Sequence, residues 1–492
     1  MSQRLVRANI AQSTDVGHLI ESIRDDLNLP GPYPAEAVED ICQVDLSAFP
    51  DHTDIPFLTI DPPGAADLDQ AMFLEREGDG YLVRYAISAV GLFIRPGGAL
   101  DREVHERGVT YYGPDQAIPL HPRELSAGAA SLLPGQDTPA YLWYIHLDSA
   151  GAIKHTWVEY ARVRSHSQLT YQQVQDALDN GTEIAAPEGF LDLLSEIGRK
   201  RIEQEIMRGG ISLDLPEQVV EEVDGGYELS YRAVTDVEEW NAQISLLTGM
   251  AAAQMMLGGG VGILRTMPPA RERDYRRLRL VAKALGMDWP EDVGYPDFVR
   301  SLDSASAAHA AFMNEAILLF RGASYLAIHP GKEIPDKLDH SAIAAPYAHV
   351  TAPLRRLVDR YGLEICRAMC AEEEIPAWVL NGLKRLPKIM AASTQKANAY
   401  DRAIINAIEA LILSGREGEE FSAVVTEVKA GRHSKHAGST TMGTRGTVML
   451  HDPAVEAKVY GTDIPVGKRV RVRLDAVSPE GPEFELVGSD EG

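Results

Sequence analysis

Thr59-Ile60-Asp61-Pro62-Pro63-Gly64-Ala65-Ala66-Asp67-Leu68-Asp69-Gln70-Ala71 sets three carboxylates within nine residues at the end of an apolar, strand-like run. Asp67 and Asp69 are two residues apart, so in an extended segment both side chains face the same way. The Pro62-Pro63-Gly64 turn can fold Asp61 back toward them. Hard oxygen donors on a loop with room for water and phosphate suit Mg²⁺ better than a softer transition metal. An EF-hand loop fits poorly, because the Gly at its sixth position and the Glu at its twelfth are missing. A solvated acidic turn between two strands is the plain alternative, and the rest of the chain has to decide between the two.

Strand signals continue on both sides of this loop. Phe57 to Ile60 precede it; Ala71 to Glu77 and Tyr81 to Ser88 follow as a hairpin turning at Gly78-Asp79-Gly80. Ala140 to Asp148 and Ile153 to Val163 form a second hairpin around Ser149-Ala150-Gly151. After Thr170 the apolar period becomes helical, with amphipathic stretches near 188–208, 235–257, 271–285, 303–321, 354–371 and 390–414. Strands first and helices later give an α+β fold.

Ser414-Gly415-Arg416-Glu417-Gly418 ends the helical part, and five short strands follow: 421–428, 446–450, 457–460, 469–476 and 483–487. That pattern fits a small OB-type β-barrel. The chain as a whole carries a net charge of −25. Phe421 to Arg473 nevertheless holds nine basic residues (Lys429, Arg432, Lys435, Arg445, Lys458, Lys468, Arg469, Arg471, Arg473) against four acidic ones (Glu427, Asp452, Glu456, Asp463), a local excess of five. A basic end on an acidic protein guides a polyanion inward, which favours RNA binding over a barrel used only for packing.

Three units are expected: a small N-terminal helical module over 1–50, a catalytic domain over 51–415 and the OB-type barrel over 416–492. The first unit reads as one helix from Ser13 to about Asp26 and a second from Glu36 to Cys42, which suits a helix-turn-helix or winged-helix module and equally a cap on the next domain. With 45 % hydrophobic and 24 % charged residues and no run of 18 apolar residues, the sequence calls for no membrane. Met1 to Arg7 lack the apolar core of a secretory signal, so a cytoplasmic protein is expected. Cys42, Cys366 and Cys370 are too few for a disulfide framework; Cys366 and Cys370, four apart on a helix, read as core thiols.

Two further motifs follow the acidic loop in order: Ile118-Pro119-Leu120-His121-Pro122-Arg123-Glu124-Leu125-Ser126, and Tyr347-Ala348-His349-Val350-Thr351-Ala352-Pro353-Leu354-Arg355-Arg356-Leu357-Val358-Asp359. With Ile60 to Asp69 they resemble the successive signatures of the ribonuclease II/R exoribonuclease family, of which this chain looks like a compact bacterial member. The resemblance covers roughly residues 30 to 415 as an RNB domain, a mixed β-sheet core wrapped by helices. The terminal barrel is similar to the family's C-terminal RNA-binding OB domain.

The resemblance implies a processive 3′-to-5′ exonuclease that hydrolyses single-stranded RNA to nucleoside 5′-monophosphates by a Mg²⁺-dependent two-metal mechanism. It implies that Asp61, Asp67, Asp69 and the position of Gln70 hold the ions, that Asp67 and Asp69 are catalytic, and that Arg355 stabilises the scissile phosphate. Tyr112 matches the tyrosine that stacks on the 3′-terminal base, with Tyr111 in its place if the register shifts by one. Asp401-Arg402 aligns with a family Glu-Arg pair; with Arg356 and Glu239, Asp401 completes the expected RNA contacts. A monomer without disulfide or membrane partner is expected. Two departures stand out. Gln70 replaces a fourth family Asp, and a neutral carbonyl binds Mg²⁺ less well, so the alternative is a catalytically silent RNA-binding relative. The stretch before the RNB start has no room for two cold-shock barrels. A metal-dependent phosphatase would share the acidic loop, but it explains neither the basic barrel nor the Tyr112 motif.

Overall fold

The structure, a computed structural model, describes residues 13–489 except 213–216, 224–225, 233, 303–305, 435–442, 451–452, 454 and 479–480. Part of the expected N-terminal module (1–12), the start of the expected 303–321 helix, and the side chains of Lys429, Arg432 and Lys435 lie outside the described residues.

Helices α1 (Ser13–Asp26) and α2 (Ala35–Glu39) lead into β1 (Asp51–Asp61), β2 (Gln70–Glu77) and β3 (Gly80–Ser88). Next come α3 (Ala99–Arg107), a two-rung hairpin of β4 (Tyr111–Tyr112) and β5 (Ala117–Ile118), and the long strands β6 (Asp137–Leu147) and β7 (Ile153–Thr170). The strands β1, β2, β3, β6 and β7 close into a barrel in that order. Closure is made by β7, which returns to pair parallel with β1, while every other neighbour is antiparallel. Side-chain alternation splits the strands into two cores: Phe57, Ala71, Ala86, Ala140, Leu142 and Val163 on one side, Leu58, Ile60, Tyr85, Tyr141 and Trp143 on the other. The last rung of the closing pair sets Asp61 opposite Thr170.

The helical part runs α4 (Tyr171–Asn180), α5 (Phe190–Met207), the hairpin β8 (Glu217–Val223) and β9 (Gly226–Arg232), α6 (Asp236–Gly259), β10 (Gly262–Thr266), α7 (Glu272–Ala284), α8 (Tyr295–Arg300) and α9 (Ala307–Ala316). It ends with β11 (Ser324–Ile328), the small pair β12 (Asp339–His340) and β13 (Ala345–Pro346), then α10 (Leu357–Cys370), α11 (Ala377–Gly382) and α12 (Leu386–Leu413). α6 is apolar on nearly all sides and correspondingly buried. Its Gly249 lets the third motif approach: a Cβ there would lie 2.1 Å from the Tyr347 ring, and Ala348 N–H donates to the Gly249 carbonyl.

One expected helix starts late. The apolar period suggests a start at 354, yet α10 begins at Leu357, with Arg356 as an extended N-cap residue at φ −140°, ψ 123°. Pro353 therefore does not open a helix. It lies in a turn closed on itself at the Ala352 carbonyl and tied to other segments through the Leu354 N–H and the Leu354 and Arg355 carbonyls. The strand pair β10–β11 lies within the region read as mostly helical.

The described part of the N-terminal segment packs against α12 and the β4–β5 hairpin. Arg24 donates to the Tyr400 hydroxyl on α12 at 3.0 Å and pairs with Asp115 at 2.6 Å, and Lys396 donates to the Asn28 carbonyl at 2.8 Å. At the far end, β14 (Glu420–Ser434), β15 (Gly443–Leu450), β16 (Glu456–Gly461), β17 (Arg469–Ser478) and β18 (Gly481–Ser489) close a second five-stranded barrel. On β17, Val470, Val472 and Leu474 are buried while Arg469, Arg471 and Arg473 are exposed, the last two facing Glu420. Among the described residues no helix is long and apolar enough to cross a membrane, and the three cysteines are free thiols.

Candidate active site

The acidic loop between β1 and β2 is rich in Pro and Gly, yet its backbone is fixed. The Ser131 hydroxyl donates to the Ala66 carbonyl at 2.7 Å and accepts the Leu68 N–H at 2.9 Å. Leu132 N–H donates to Leu68 O, Ser88 N–H to Asp69 O, and Gln168 Nε2 to Ala65 O. Three other strands or loops thus set where the aspartates point.

The third motif docks directly on this loop. Leu354 N–H donates to Asp69 Oδ1 at 2.7 Å, and Arg355 Nε lies 3.7 Å from Asp69 Oδ2. The hairpin that carries Tyr112 docks beside it, through Thr110 N–H to the Arg355 carbonyl at 3.0 Å and Leu357 N–H to the Gly108 carbonyl at 3.0 Å. The Tyr112 hydroxyl reaches Asp67 Oδ2 at 3.4 Å, and the residue is 39 % exposed. Tyr111 is buried, its hydroxyl donating to the Arg107 carbonyl, so Tyr112 is the tyrosine presented to solvent. Asp67, Asp69, Arg355 and Tyr112 therefore stand together.

Electrostatics mark the locus as short of positive charge. Burial raises the Asp69 carboxyl well above its ordinary range against the pull of Arg355 and the Leu354 N–H, and the Asp67 charge adds to the rise. Burial likewise pushes Asp61 up to about 6, again with a contribution from Asp67. Asp61 Oδ2 is buried and has no hydrogen-bond partner among the described residues. Among those residues no three His, Cys, Asp or Glu side chains form a ready ligand shell. Mg²⁺ does not require one, since it keeps several waters and is held by one or two carboxylates together with substrate phosphates. The orphaned Asp61 oxygen and the coupled carboxylates fit such an ion.

The other sequence candidates are placed differently. Gln70 turns to Tyr85, whose hydroxyl donates to Gln70 Oε1, so its carbonyl already has a partner. Arg356, expected to contact RNA, is folded onto the buried Asp359 through two hydrogen bonds of 2.9 and 2.8 Å, its own side chain half-buried. Burial disfavours its charge, but Asp359 more than compensates and holds its pKa above the ordinary value. Glu239 is exposed on the first turn of α6, and Asp401 is exposed on α12. Its neighbour Arg402 lines a groove of about 750 Å³ between the β10–β11 pair and α12, with Arg265, Lys388, Tyr325, Gln395 and Asn398.

Several residues at the locus escaped the sequence reading. Tyr171 feels Asp61 and Arg355, is raised to about 12 mainly by burial, and accepts a hydrogen bond from Asn241 at 3.1 Å. The capping box Thr170–Gln173 fixes Tyr171 at the first helical position and was a legible signal. Tyr85 and Ser131 carry no such signal.

Two β-barrels flanking a helical wall, with an acidic loop at the rim of the first, define an RNB domain followed by an S1 domain. The RNB domain matches residues 49–370, most of the chain, and the chain belongs to the RNB domain family. The RNase II-type exonuclease C-terminal S1 domain matches residues 419–487. Ribonuclease R of Aquifex aeolicus is 27 % identical over 433 residues, 84 % of this chain and 60 % of the relative. Ribonuclease R of Escherichia coli is 28 % identical over 324 residues, 63 % of this chain and 39 % of the relative. The chain thus spans less than two thirds of the length of these relatives. The fold is similar to that of Mycoplasma genitalium RNase R in complex with ribose methylated single-stranded RNA, with a TM-score of 0.82 at 18 % identity, covering 96 % of this chain and 78 % of that one. It is also similar to yeast Ssd1, described as a pseudonuclease, with a TM-score of 0.67 at 17 % identity, covering 95 % and 58 %.

Proposed function

We propose that the protein is a processive 3′-to-5′ exoribonuclease that hydrolyses single-stranded RNA to nucleoside 5′-monophosphates with Mg²⁺. One observation carries the reading: residues from three segments far apart in sequence meet at one point, with Tyr112 3.4 Å from Asp67 and Arg355 3.7 Å from Asp69. Asp61, Asp67 and Asp69 would hold the divalent ions, with Gln70 at the fourth family position. Such ions supply an activated water and neutralise charge on the leaving oxygen.

The chain's own groups do the rest. Arg355, its side chain partly exposed, offers guanidinium N–H groups that take a phosphate and offset the charge that develops on it. The Tyr112 ring stacks on the terminal base without reading its identity, which suits degradation of any sequence. Arg265, Lys388 and Arg402 in the neighbouring groove supply cations for upstream phosphates, with Tyr325 under the Arg265 guanidinium at 4.7 Å. Asp401 and Glu239 border the RNA path, and Arg356 acts through Asp359 rather than by touching RNA. The division into 1–50, 51–415 and 416–492, a monomeric state and a cytoplasmic location belong to the same reading.

End-labelled oligo(A) incubated with Mg²⁺ tests it. Progressive loss of 3′ nucleotides, stopped by EDTA, is the expected result; deoxyriboses near the 3′ end show whether RNA is distinguished from DNA. The bond between Gln70 and Tyr85 favours one competitor, a silent RNA-binding relative whose metal site lacks its fourth ligand. RNA that is retarded on a gel but stays intact supports that relative.

A further inference from the structure

His121 belongs to the second motif. Its ring is 1 % exposed, with Nδ1 3.0 Å from the Leu354 carbonyl oxygen. A carbonyl only accepts, so Nδ1 carries the proton. Nε2 is buried without a partner among the described residues. Burial lowers the imidazole pKa to about 4, which keeps the ring neutral near pH 7.

The bond to Leu354 falls on a sensitive peptide plane. The Leu354 carbonyl and the Arg355 N–H belong to one peptide unit, and that N–H donates to Ala352 O at 3.2 Å. In the next unit the Arg355 carbonyl accepts the Thr110 N–H at 3.0 Å, and Arg356 N–H donates to Ala352 O at 3.0 Å. Four hydrogen bonds therefore fix the two planes that flank the Arg355 Cα and set the direction of its side chain. Three of the four are backbone to backbone; the fourth comes from His121. The residue before the Arg355 peptide is tied at its N–H to Asp69, so a twist of this plane moves the arginine relative to the carboxylate.

We propose that His121 is a positioning residue for RNA hydrolysis, its Nδ1–H holding the Leu354–Arg355 peptide so that the guanidinium meets the scissile phosphate. The proposal rests on the exoribonuclease reading. A buried histidine that merely fills space would tolerate any neutral side chain of similar size; a donor at the Nδ1 position would not.

The test compares His121→Asn, whose amide N–H stands where Nδ1–H does, with His121→Gln, whose amide falls near Nε2, and with His121→Ala. Asn is expected to keep kcat on oligo(A) within about threefold, whereas Gln and Ala lose on the order of a hundredfold at nearly unchanged KM, as a displaced catalytic group does. Equal activity of the Asn and Gln variants, or a loss confined to KM, overturns the proposal. Melting temperatures identify variants that fail to fold, and the Asn–Gln pair carries the comparison if Ala is one of them. ¹⁵N spectra of the histidine-labelled protein give a readout apart from catalysis: His121 is expected as the neutral Nδ1–H tautomer at pH 7, and an Nε2–H signal overturns the proposal. If the wild type leaves RNA intact while the Nδ1–H signal is present, the exoribonuclease reading has failed and the bond itself stands.

Discussion

Asp69→Asn separates the charge of the acidic loop from its shape. Asn keeps an oxygen for the Leu354 N–H, so the docking of the third motif survives. What disappears is one negative charge 3.7 Å from Arg355 Nε. At an effective dielectric of 20 that separation corresponds to a Coulomb term of about 4 kcal/mol. Arg355 is 42 % exposed, and solvent screening reduces the term to about 2 kcal/mol. That loss of hold on Arg355 displaces the guanidinium from the phosphate, and together with the lost ligand charge at a divalent ion it lowers the rate at least about thirtyfold. Stability moves the other way. Burial raises the Asp69 carboxyl pKa, so its charge is a burden in metal-free protein, and the surviving Arg355 is solvated. The variant in EDTA at pH 7.5 should be as stable as wild type or more so in urea denaturation, to within about 1 kcal/mol. Single-turnover cleavage of labelled oligo(A) should fall at least about thirtyfold while RNA affinity in EDTA holds. Cleavage within about threefold of wild type, or a loss that tracks a fall in stability, refutes the reasoning.

Tyr112→Ala should weaken binding of a short oligo(A) about tenfold or more by fluorescence anisotropy in EDTA. Tyr112→Phe should bind as wild type, because the 3.4 Å contact to Asp67 contributes little. Arg356→Ala strands the Asp359 carboxylate, which is 0 % exposed, so urea denaturation should show a loss of about 3–5 kcal/mol; a loss under about 1 kcal/mol counts against the buried pair. Acid should destabilise the fold through His121. Its folded pKa of about 4 lies below the ordinary 6.5, so the unfolded chain binds the proton first and stability falls as pH drops through 6.5 toward 4. Between pH 7.5 and 5 the wild type should lose about 2 kcal/mol more than His121→Asn, and parallel curves would contradict the buried neutral ring.

Local order was legible in the sequence because it is a local property. Apolar alternation and helical period placed most barrel strands and the long helices to within a few residues, while β1, β7 and β14 run six or seven residues beyond the expected spans because pairing with a distant strand extends them; the order of strands, helices and basic strands pointed to the α+β class and the terminal barrel. The spacing of Asp61, Asp67 and Asp69 could be read for the same reason. Which tyrosine is presented could not: Tyr111 and Tyr112 are equivalent until a hairpin turns one of them inward to Arg107. Arg355 and Arg356 are adjacent, and only a tertiary turn in place of the expected helix start leaves the first facing Asp69 and folds the second onto Asp359.

Composition and periodicity determined the elements, the fold class and the acidic loop of this protein. The tertiary structure alone decided that β7 closes on β1 and sets Asp61 opposite Thr170, that Gln70 turns to Tyr85, and that the Leu354 peptide is held between Asp69 and His121. These are pairings between groups up to 285 residues apart, several made by backbone C=O groups that every residue carries and N–H groups that every residue but proline carries. A donor common to nearly all residues leaves no mark in a sequence, and it acquires a partner only when the chain has closed.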